Sequence, residues 1–275
     1  MTWLYKHRFL ILRRLTQTLM IVLYFGAHAW GWKMLEGNLS SSLVLGVIPL
    51  ADPFAVLQMS ATGALLGLDV MIGAVIIAVF YASLGGRAFC SWVCPINMVT
   101  DAANGLRRVL RINEVERRVV LSRKLRYWIL GLSLALSAIF GVAAFEFISP
   151  IGILSRGLIF GLGFGATVVL GVFLFDLFGV KNGFCGHLCP LGGFYSLVGR
   201  FSIIRVKHNQ EKCTLCMKCT EICPEKPVLH MIGKRSEFVA MGECTNCARC
   251  VEVCDDDALN FDIRFFKQQS QGEII

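Results

Sequence analysis

This sequence has few histidines and none of the glycine patterns that bind nucleotides. Only 5 of its 275 residues are histidine, and His28 alone lies in a long apolar run, whereas a haem held inside a membrane by two imidazoles needs two such residues. The haem-attachment pattern C-x-x-C-H is missing. So are G-x-G-x-x-G after a strand and G-x-x-x-x-G-K-S/T, the patterns that bind nucleotides. We therefore expect no haem and no nucleotide cofactor.

Charged residues are also scarce, and the apolar residues come in long runs. Charged residues form 17% of the chain against 55% hydrophobic residues, and the mean hydropathy is +0.63. Four uncharged runs hold 17 to 19 residues each: Leu15–Trp32, Val70–Gly86, Tyr127–Phe145 and Gly157–Phe175. A helix needs about 20 apolar residues to cross a bilayer, within a range of about 17 to 25. The sequence therefore predicts four membrane-spanning helices.

Three apolar stretches need separate interpretation. Pro53–Leu68 is uncharged but contains polar side chains, glycine and proline, which favours an interfacial or re-entrant helix. The glycine-rich stretch Gly161–Gly165 is predicted to lie within the fourth span, where small residues let helices pack closely. The first run could be a signal peptide, because basic residues precede it and residues 27–29 (Ala-His-Ala) resemble a cleavage site. Trp30 and Trp32 favour a retained span, since tryptophan gathers at membrane interfaces.

Basic residues predict the orientation of these spans. Residues 87–126 hold nine Lys or Arg against three acidic residues, whereas the other two connections between spans hold only Lys33 and Arg156 as basic residues. Four more basic residues precede the first run. Because basic loops stay on the cytoplasmic side, both termini and the central loop are predicted there. The net charge of +8 lies mostly in residues 1–180, with 15 basic and 8 acidic residues, and requires no nucleic-acid partner.

The C-terminal region repeats the spacing C-x2-C-x2-C-x3-C. Two such runs hold a pair of 4Fe-4S clusters, because three cysteines of a run bind one cluster and the fourth reaches the other. A zinc ribbon or a disulfide framework does not produce two matched runs. The predicted ligand sets are Cys213, Cys216, Cys219 and Cys254 for one cluster, and Cys244, Cys247, Cys250 and Cys223 for the other.

Two clusters of this kind transfer single electrons, so an electron-transfer protein is predicted. Cysteine must be reduced to bind iron, which agrees with a cytoplasmic location of these residues. The predicted fold is an α-helical membrane domain, residues 1–200, with four helices arranged as two tandem hairpins. A small α+β ferredoxin-like domain with two 4Fe-4S clusters, residues 201–275, follows it.

The remaining four cysteines form two C-x3-C-P motifs. Cys90 and Cys94 follow the second apolar run, and Cys185 and Cys189 follow the fourth. The equivalent positions predict a tandem duplication of a two-helix unit. Three interpretations stay open: a four-thiolate site for a metal or a further cluster, redox-active dithiols, or structural elements at a partner surface.

A membrane domain joined to an electron carrier needs a lipid-soluble redox partner, and quinol is the obvious donor. Quinol oxidation releases protons, so ionisable groups near the spans are candidates for the site. They are His28, Asp69 and Glu146 at the outer side, which could converge on a quinol headgroup, and His187 inside the second C-x3-C motif. Asp176, at the inner end of the fourth span, is a further ionisable group. Each of the four ionisable groups in or beside the spans is better explained as an interface residue whose polar head reaches water.

The chain resembles the NapH family of ferredoxin-type quinol dehydrogenase subunits. The resemblance rests on the two cysteine motifs at 89–95 and 185–190, on the C-terminal double run, and on stretches 37–43 and 174–177. It implies a multi-pass protein of a bacterial inner membrane that oxidises menaquinol or ubiquinol. The electrons would pass to a periplasmic ferredoxin-type subunit and, through cytochromes c, to nitrate reductase.

If the clusters are cytoplasmic, electrons bound for the periplasm must cross a hydrocarbon core about 30 Å thick. Quinone could carry them across, a partner could supply a relay, or the clusters could sense or tune the process. The alternative function is an assembly or regulatory protein with similar motifs that reduces a metal such as copper.

Overall fold

The computed structural model describes residues 3–110, 112, 121–161, 163 and 165–264. Residues 111 and 113–120 of the predicted basic central loop lie outside the described residues, as do residues 265–275 of the predicted ferredoxin-like domain. In the described part, a helical N-terminal region is followed by a small α+β region that packs against it.

One long helix opens the helical region. After the short α1 (Trp3–Lys6), α2 runs from Arg8 to Trp30 without a break. Among the described residues, it is the one helix long and apolar enough to cross a membrane by itself. Its first turn contacts the C-terminal region, where the backbone N–H of Leu10 donates to Glu252 over 2.8 Å.

An antiparallel sheet that was not predicted follows α2. Its strands are β1 (Leu35–Gly37), β2 (Ser41–Val44) and β3 (Ile48–Ala51), and they lead into α3 (Pro53–Ala61) and α4 (Leu68–Leu84). Both β3 and α3 pack against α4. Gly73 of α4 makes this possible, because a Cβ there would lie only 2.8 Å from the carbonyl oxygen of Pro49. The helix expected over Pro53–Leu68 therefore ends early, at Ala61.

The remaining helices of this region are shorter than the predicted spans. They are α5 (Ala88–Trp92), α6 (Ile96–Val109), α7 (Leu125–Phe140), α8 (Ala144–Ile148), α9 (Pro150–Phe160), α10 (Gly165–Leu174) and α11 (Pro190–Val198). A π-helical turn, Phe175–Gly179, extends α10, and a second one covers Phe184–Leu188. Four of the apolar helices, namely α4, α7, α9 and α10 with its π-helical turn, have 10 to 17 residues.

The prediction that Gly157–Phe175 forms one span is wrong. The chain breaks between α9 and α10, and these two helices pack against each other instead. Gly161 has a φ of 106°, which residues with a side chain rarely adopt and which cannot continue a helix. The glycine-rich stretch therefore separates two helices, whereas the sequence analysis put it inside one.

The two halves of the helical region repeat the same order of elements. Helices α3 and α9 both begin with proline, and the side chains of Asp52 and Ser149 cap their N-termini. Each short helix is followed by an apolar helix, a C-x3-C-P motif and a further helix, α6 or α11. The repeating unit is thus longer than a two-helix hairpin.

The C-terminal region is built around two antiparallel strands. β4 (Ile204–His208) follows the 3-10 turn Gly199–Phe201 and pairs with β5 (Leu259–Ile263). Between them lie α12 (Lys218–Ile222), the 3-10 turn Lys226–Leu229 and α13 (Arg249–Glu252). Val206, Val239 and Leu259 lie in the core of this region, together with several of the cysteines.

Candidate functional site

Two cavities of the C-terminal region are each lined by four cysteines. Cys213, Cys216, Cys219 and Cys254 line one cavity. Cys223, Cys244, Cys247 and Cys250 line the other. Each cavity therefore gathers three cysteines of one run and the last cysteine of the other, which is the grouping that the spacing predicts.

The two cysteine loops share an unusual backbone. Leu215 and Met217 in the first loop have φ of 60° and 58°, and Asn246 and Ala248, at the same positions of the second loop, have 48° and 60°. Residues with side chains adopt this left-handed region infrequently. Such turns expose successive N–H groups on a concave surface, which suits the negative charge of many iron–sulfur sites. The loops thus fit the cofactor that the thiolates indicate.

Buried cysteines of this region keep their protons unless a metal cation binds them. Burial raises the pKa of the thiols of Cys244 and Cys250, so both are neutral at physiological pH when no metal is bound. Iron binds the thiolate form. Among the described residues, no three His, Cys, Asp or Glu side chains are grouped closely enough to hold a single metal ion.

The four C-x3-C-P cysteines come together at the boundary between the two regions. Cys94 and Cys189 are buried in the hydrophobic core of the helical region, and Cys90 and Cys185 pack against that core. Burial, followed by the charges of Cys90 and Cys189, raises the pKa of Cys94. Burial, followed by Cys90, raises the pKa of Cys189 to about 12. The four cysteines of the two duplicated motifs therefore lie in or against one hydrophobic core.

A third cavity joins this cluster to the C-terminal region. Cys90 and Cys185 line one side of it, and Cys247 and Arg249 line the other. Cys247 also lines the second four-cysteine cavity. The C-x3-C-P cysteines are therefore adjacent to a cysteine site of the ferredoxin-like region.

A buried carboxylate fixes the contact between the two regions. Glu225, two residues after Cys223, accepts hydrogen bonds from Arg87 over 2.5 Å and from Arg126 over 2.9 Å. Arg123 also pairs with it. Arg87 in turn donates to the carbonyl oxygen of Cys185 over 3.0 Å. Glu225 and its arginine partners therefore hold the segment after Cys223 against the second C-x3-C-P motif.

A second ion-pair group lies beside the first turns of α2. Asp101 of α6 pairs with Arg14 of α2 and with Arg249 of α13. Burial disfavours the charge of Asp101, but Arg249 and Arg14 outweigh it and hold the pKa of this carboxyl below its usual value. Three segments that are distant in sequence therefore meet at one aspartate.

The predicted quinol-site residues make no direct bonds to one another in the part of the chain that the structure describes. His28 is exposed and contacts the ring of Phe160, with ring centroids 4.5 Å apart. Asp69 is exposed in the first turn of α4. No hydrogen bond or ion pair among the described residues joins either of them to Glu146, so their convergence on a quinol headgroup stays a prediction. His187 is buried far along the chain, within the second π-helical turn.

Glu146 belongs to a different group. It accepts hydrogen bonds from the Ser40 hydroxyl over 2.5 Å and from Arg156 over 2.8 Å. The backbone oxygen of Ser40 accepts from the N–H of Asp52 over 2.9 Å. Glu146 therefore has a second carboxylate, Asp52, on the other side of Ser40.

Asp52 is a functional candidate that the sequence analysis missed. Its carboxylate caps α3 by accepting from the N–H of Phe54 over 3.2 Å, and it also accepts from the Tyr195 hydroxyl over 3.4 Å. Burial raises the pKa of Asp52 to about 7, and the nearby Glu146 acts in the same direction. An acidic residue before proline at the start of an apolar stretch was the signal that could have revealed it.

Comparisons with protein families describe both regions as iron–sulfur domains. A family described as "4Fe-4S binding domain" matches twice, at residues 66–113 and 159–208, and a family described as "4Fe-4S dicluster domain" matches residues 205–255. The double match covers both C-x3-C-P motifs and agrees with the predicted duplication. The chain is thus a ferredoxin-type electron-transfer protein.

Individual relatives identify the family. Ferredoxin-type protein NapH of Escherichia coli (strain K12) is 42% identical over 228 residues, covering 82% of this chain and 78% of that protein. NapH of Haemophilus influenzae is 42% identical over 238 residues, covering 86% and 82%. Methylamine utilization ferredoxin-type protein MauN of Methylorubrum extorquens is 45% identical over 224 residues, covering 81% and 77%. The chain belongs to the NapH family. No solved structure matches it significantly.

Proposed function

We propose that this chain is a membrane-bound electron-transfer protein that oxidises quinol and passes the electrons on through iron–sulfur centres. One observation carries the proposal: Cys90 and Cys185, which follow apolar helices, share a cavity with Cys247 of the ferredoxin-like region. A donor that reaches the protein from the lipid phase would therefore meet a series of adjacent cysteine sites.

The cysteines are proposed to hold the redox centres. Cys213, Cys216, Cys219 and Cys254 would bind one 4Fe-4S cluster, and Cys223, Cys244, Cys247 and Cys250 would bind the second. Each cluster, when bound, accepts one electron at a time. We propose that the four C-x3-C-P cysteines form a third thiolate site, because they are close together and because both motifs match the 4Fe-4S binding family.

Four helices are proposed to cross the membrane: α2, α4, α7, and α10 with its π-helical turn. Helix α4 has 17 residues and is about 25 Å long at about 1.5 Å per residue, slightly less than a hydrocarbon core of about 30 Å. Local thinning of the bilayer accommodates such a mismatch at modest cost. The half-helices α3 and α9 are mostly buried in the protein, as broken helices at membrane depth must be. The basic N-terminus and the clusters would face the cytoplasm.

The electrons are proposed to leave for a periplasmic ferredoxin-type subunit, cytochromes c and nitrate reductase. The NapH relatives support this destination. A second candidate is the same chemistry in methylamine utilization, which the MauN relatives favour at a similar identity. Both candidates take menaquinol or ubiquinol as the donor.

Iron analysis and reduction by quinol test the proposal on the purified full-length chain. We expect about twelve irons per chain if all three sites hold a 4Fe-4S cluster, and about eight if only the ferredoxin-like region does. A soluble quinol analogue should generate the EPR signals of reduced clusters. If quinol leaves the clusters oxidised while Cu(II) rapidly reoxidises dithionite-reduced clusters, quinol oxidation is refuted and the metal-reducing alternative is favoured.

A further inference from the structure

We propose that the Asp52 carboxylate accepts a proton from quinol where β3, α3 and α8 meet, with the Tyr195 hydroxyl as its hydrogen-bond partner. The inference rests on the proposed quinol oxidation and names the residue that would receive the proton. Asp52 is partly exposed, although Ala51, Pro53 and Phe54 around it are buried.

Asp52 and Glu146 have different partners. The guanidinium of Arg156 compensates Glu146 over 2.8 Å, whereas no ion pair to Asp52 is present among the described residues. The donors to the Asp52 carboxylate in the described part of the chain are neutral, and they include the N–H of Phe54 and the hydroxyl of Tyr195. Two neighbouring carboxylates in unlike environments take unlike roles in proton transfer. The uncompensated Asp52 is the better base, and Glu146 lies across Ser40 to take the second proton.

Aromatic rings connect this carboxylate with the C-x3-C-P cysteines. The ring of Tyr195 stacks on Phe89, with centroids 5.2 Å apart, and Phe89 directly precedes Cys90. Tyr81 contacts both rings from the side, at 5.3 Å and 5.7 Å. A quinol headgroup beside Asp52 would thus lie at one end of an aromatic cluster whose other end is a thiolate site.

The proposed iron–sulfur centres would be the oxidant of the quinol in this reaction. Both O–H bonds of the quinol break, one proton forms a new O–H bond on Asp52, the second passes to Glu146, and quinone is released. The two electrons would pass one each to oxidised iron–sulfur centres held by the cysteines, and the two carboxylates would then return their protons to water.

The pH dependence follows from the groups that face Asp52, which are Tyr195, Tyr81, Glu146 and the hydroxyl of Ser40. With its pKa raised to about 7 by burial, Asp52 is ionised and basic above that pH and protonated below it. Quinol oxidation should therefore slow as the pH falls below about 7. The Tyr195 hydroxyl stabilises the ionised form, so its removal should shift this midpoint upward.

Asp52→Asn tests the proposal in the full-length holoprotein. Asparagine caps helices as well as aspartate does, so α3 should remain folded. With menadiol as the probe, we expect cluster reduction to be about 100-fold slower, the usual contribution of one acid–base group. Reduction by dithionite and iron content should be unchanged. Infrared difference spectra should show a carboxyl group that titrates near pH 7 in the wild type and is lost in this variant.

Two further variants make the outcome decisive. Asp262→Asn removes a surface carboxylate paired with Lys207 and should behave like the wild type. Tyr195→Phe should shift the pH midpoint upward. If the wild type is not reduced by menadiol, the proposed function itself fails. If the wild type is reduced and Asp52→Asn keeps the same rate and pH profile, quinol oxidation stands and the role of Asp52 is refuted.

Discussion

The eight cysteines of the ferredoxin-like region and the four of the helical region differ in how the backbone presents them. In the first set, loops with left-handed residues at matching positions surround two cavities. In the second set, Cys90 and Cys185 lie within short helical turns, and Cys94 and Cys189, which follow these turns, are buried among apolar side chains. The C-x2-C loops line two cavities within one small region, whereas the two C-x3-C-P turns come from distant halves of the chain.

Replacing a fully enclosed ligand should have the largest effect. Cys250 is buried in the second cavity, and Cys250→Ser should remove one cluster, about four irons, and unfold much of the ferredoxin-like region. Iron analysis and limited proteolysis measure both losses. Retention of the full iron content would show that Cys250 is not a required ligand of this cluster.

Breaking the buried ion pairs should have the second-largest effect, because these pairs hold the two regions together. Glu225→Gln leaves Arg87 buried without its counter-charge and leaves Arg126 with only Glu243 at 3.9 Å, which costs about 3–5 kcal/mol. Thermal unfolding in detergent measures the loss. Asp262→Asn is the matched surface control, worth about 0–1 kcal/mol, and an equal effect of both variants would argue against a rigid junction.

A smaller effect is expected at the second ion-pair group. Asp101→Asn keeps the shape of the side chain but weakens its bonds to Arg14 and Arg249, and hydrogen bonds to charged groups contribute about 1.5–3 kcal/mol. Proteolysis between the helical and ferredoxin-like regions should become faster. Unchanged protection would mean that Glu225 alone fixes their contact.

The smallest effect is expected from a substitution at the break between α9 and α10, which tests whether the helical region contains broken helices. Gly161→Ala introduces a side chain at a φ of 106° and should destabilise the fold by roughly 1 kcal/mol or more. Gly171→Ala is the control, because it lies within α10 with open space around its Cβ position and should stabilise by about 0.5–1 kcal/mol. If Gly161→Ala were also stabilising, residues 157–175 would form one continuous helix after all.

The sequence predicted the cysteine sites better than the helical architecture, for a physical reason. Ligand spacing is local, so the grouping of Cys223 with Cys244, Cys247 and Cys250 could be read from the chain. Hydrophobic runs report burial but not continuity, so the break at Gly161 and the sheet before α3 were missed. Asp52 was overlooked because it lies between the runs, and only the fold brings Tyr195 and Glu146 to it.

The C-x3-C-P cysteines are proposed to link the helical region to the ferredoxin-like region. The most direct test is EPR of the full-length chain carrying Cys90→Ser and Cys185→Ser, reduced either by menadiol or by dithionite. We predict that dithionite still reduces the clusters of the ferredoxin-like region, while reduction by menadiol is lost. Reduction by menadiol at the wild-type rate in this double variant would contradict the claim.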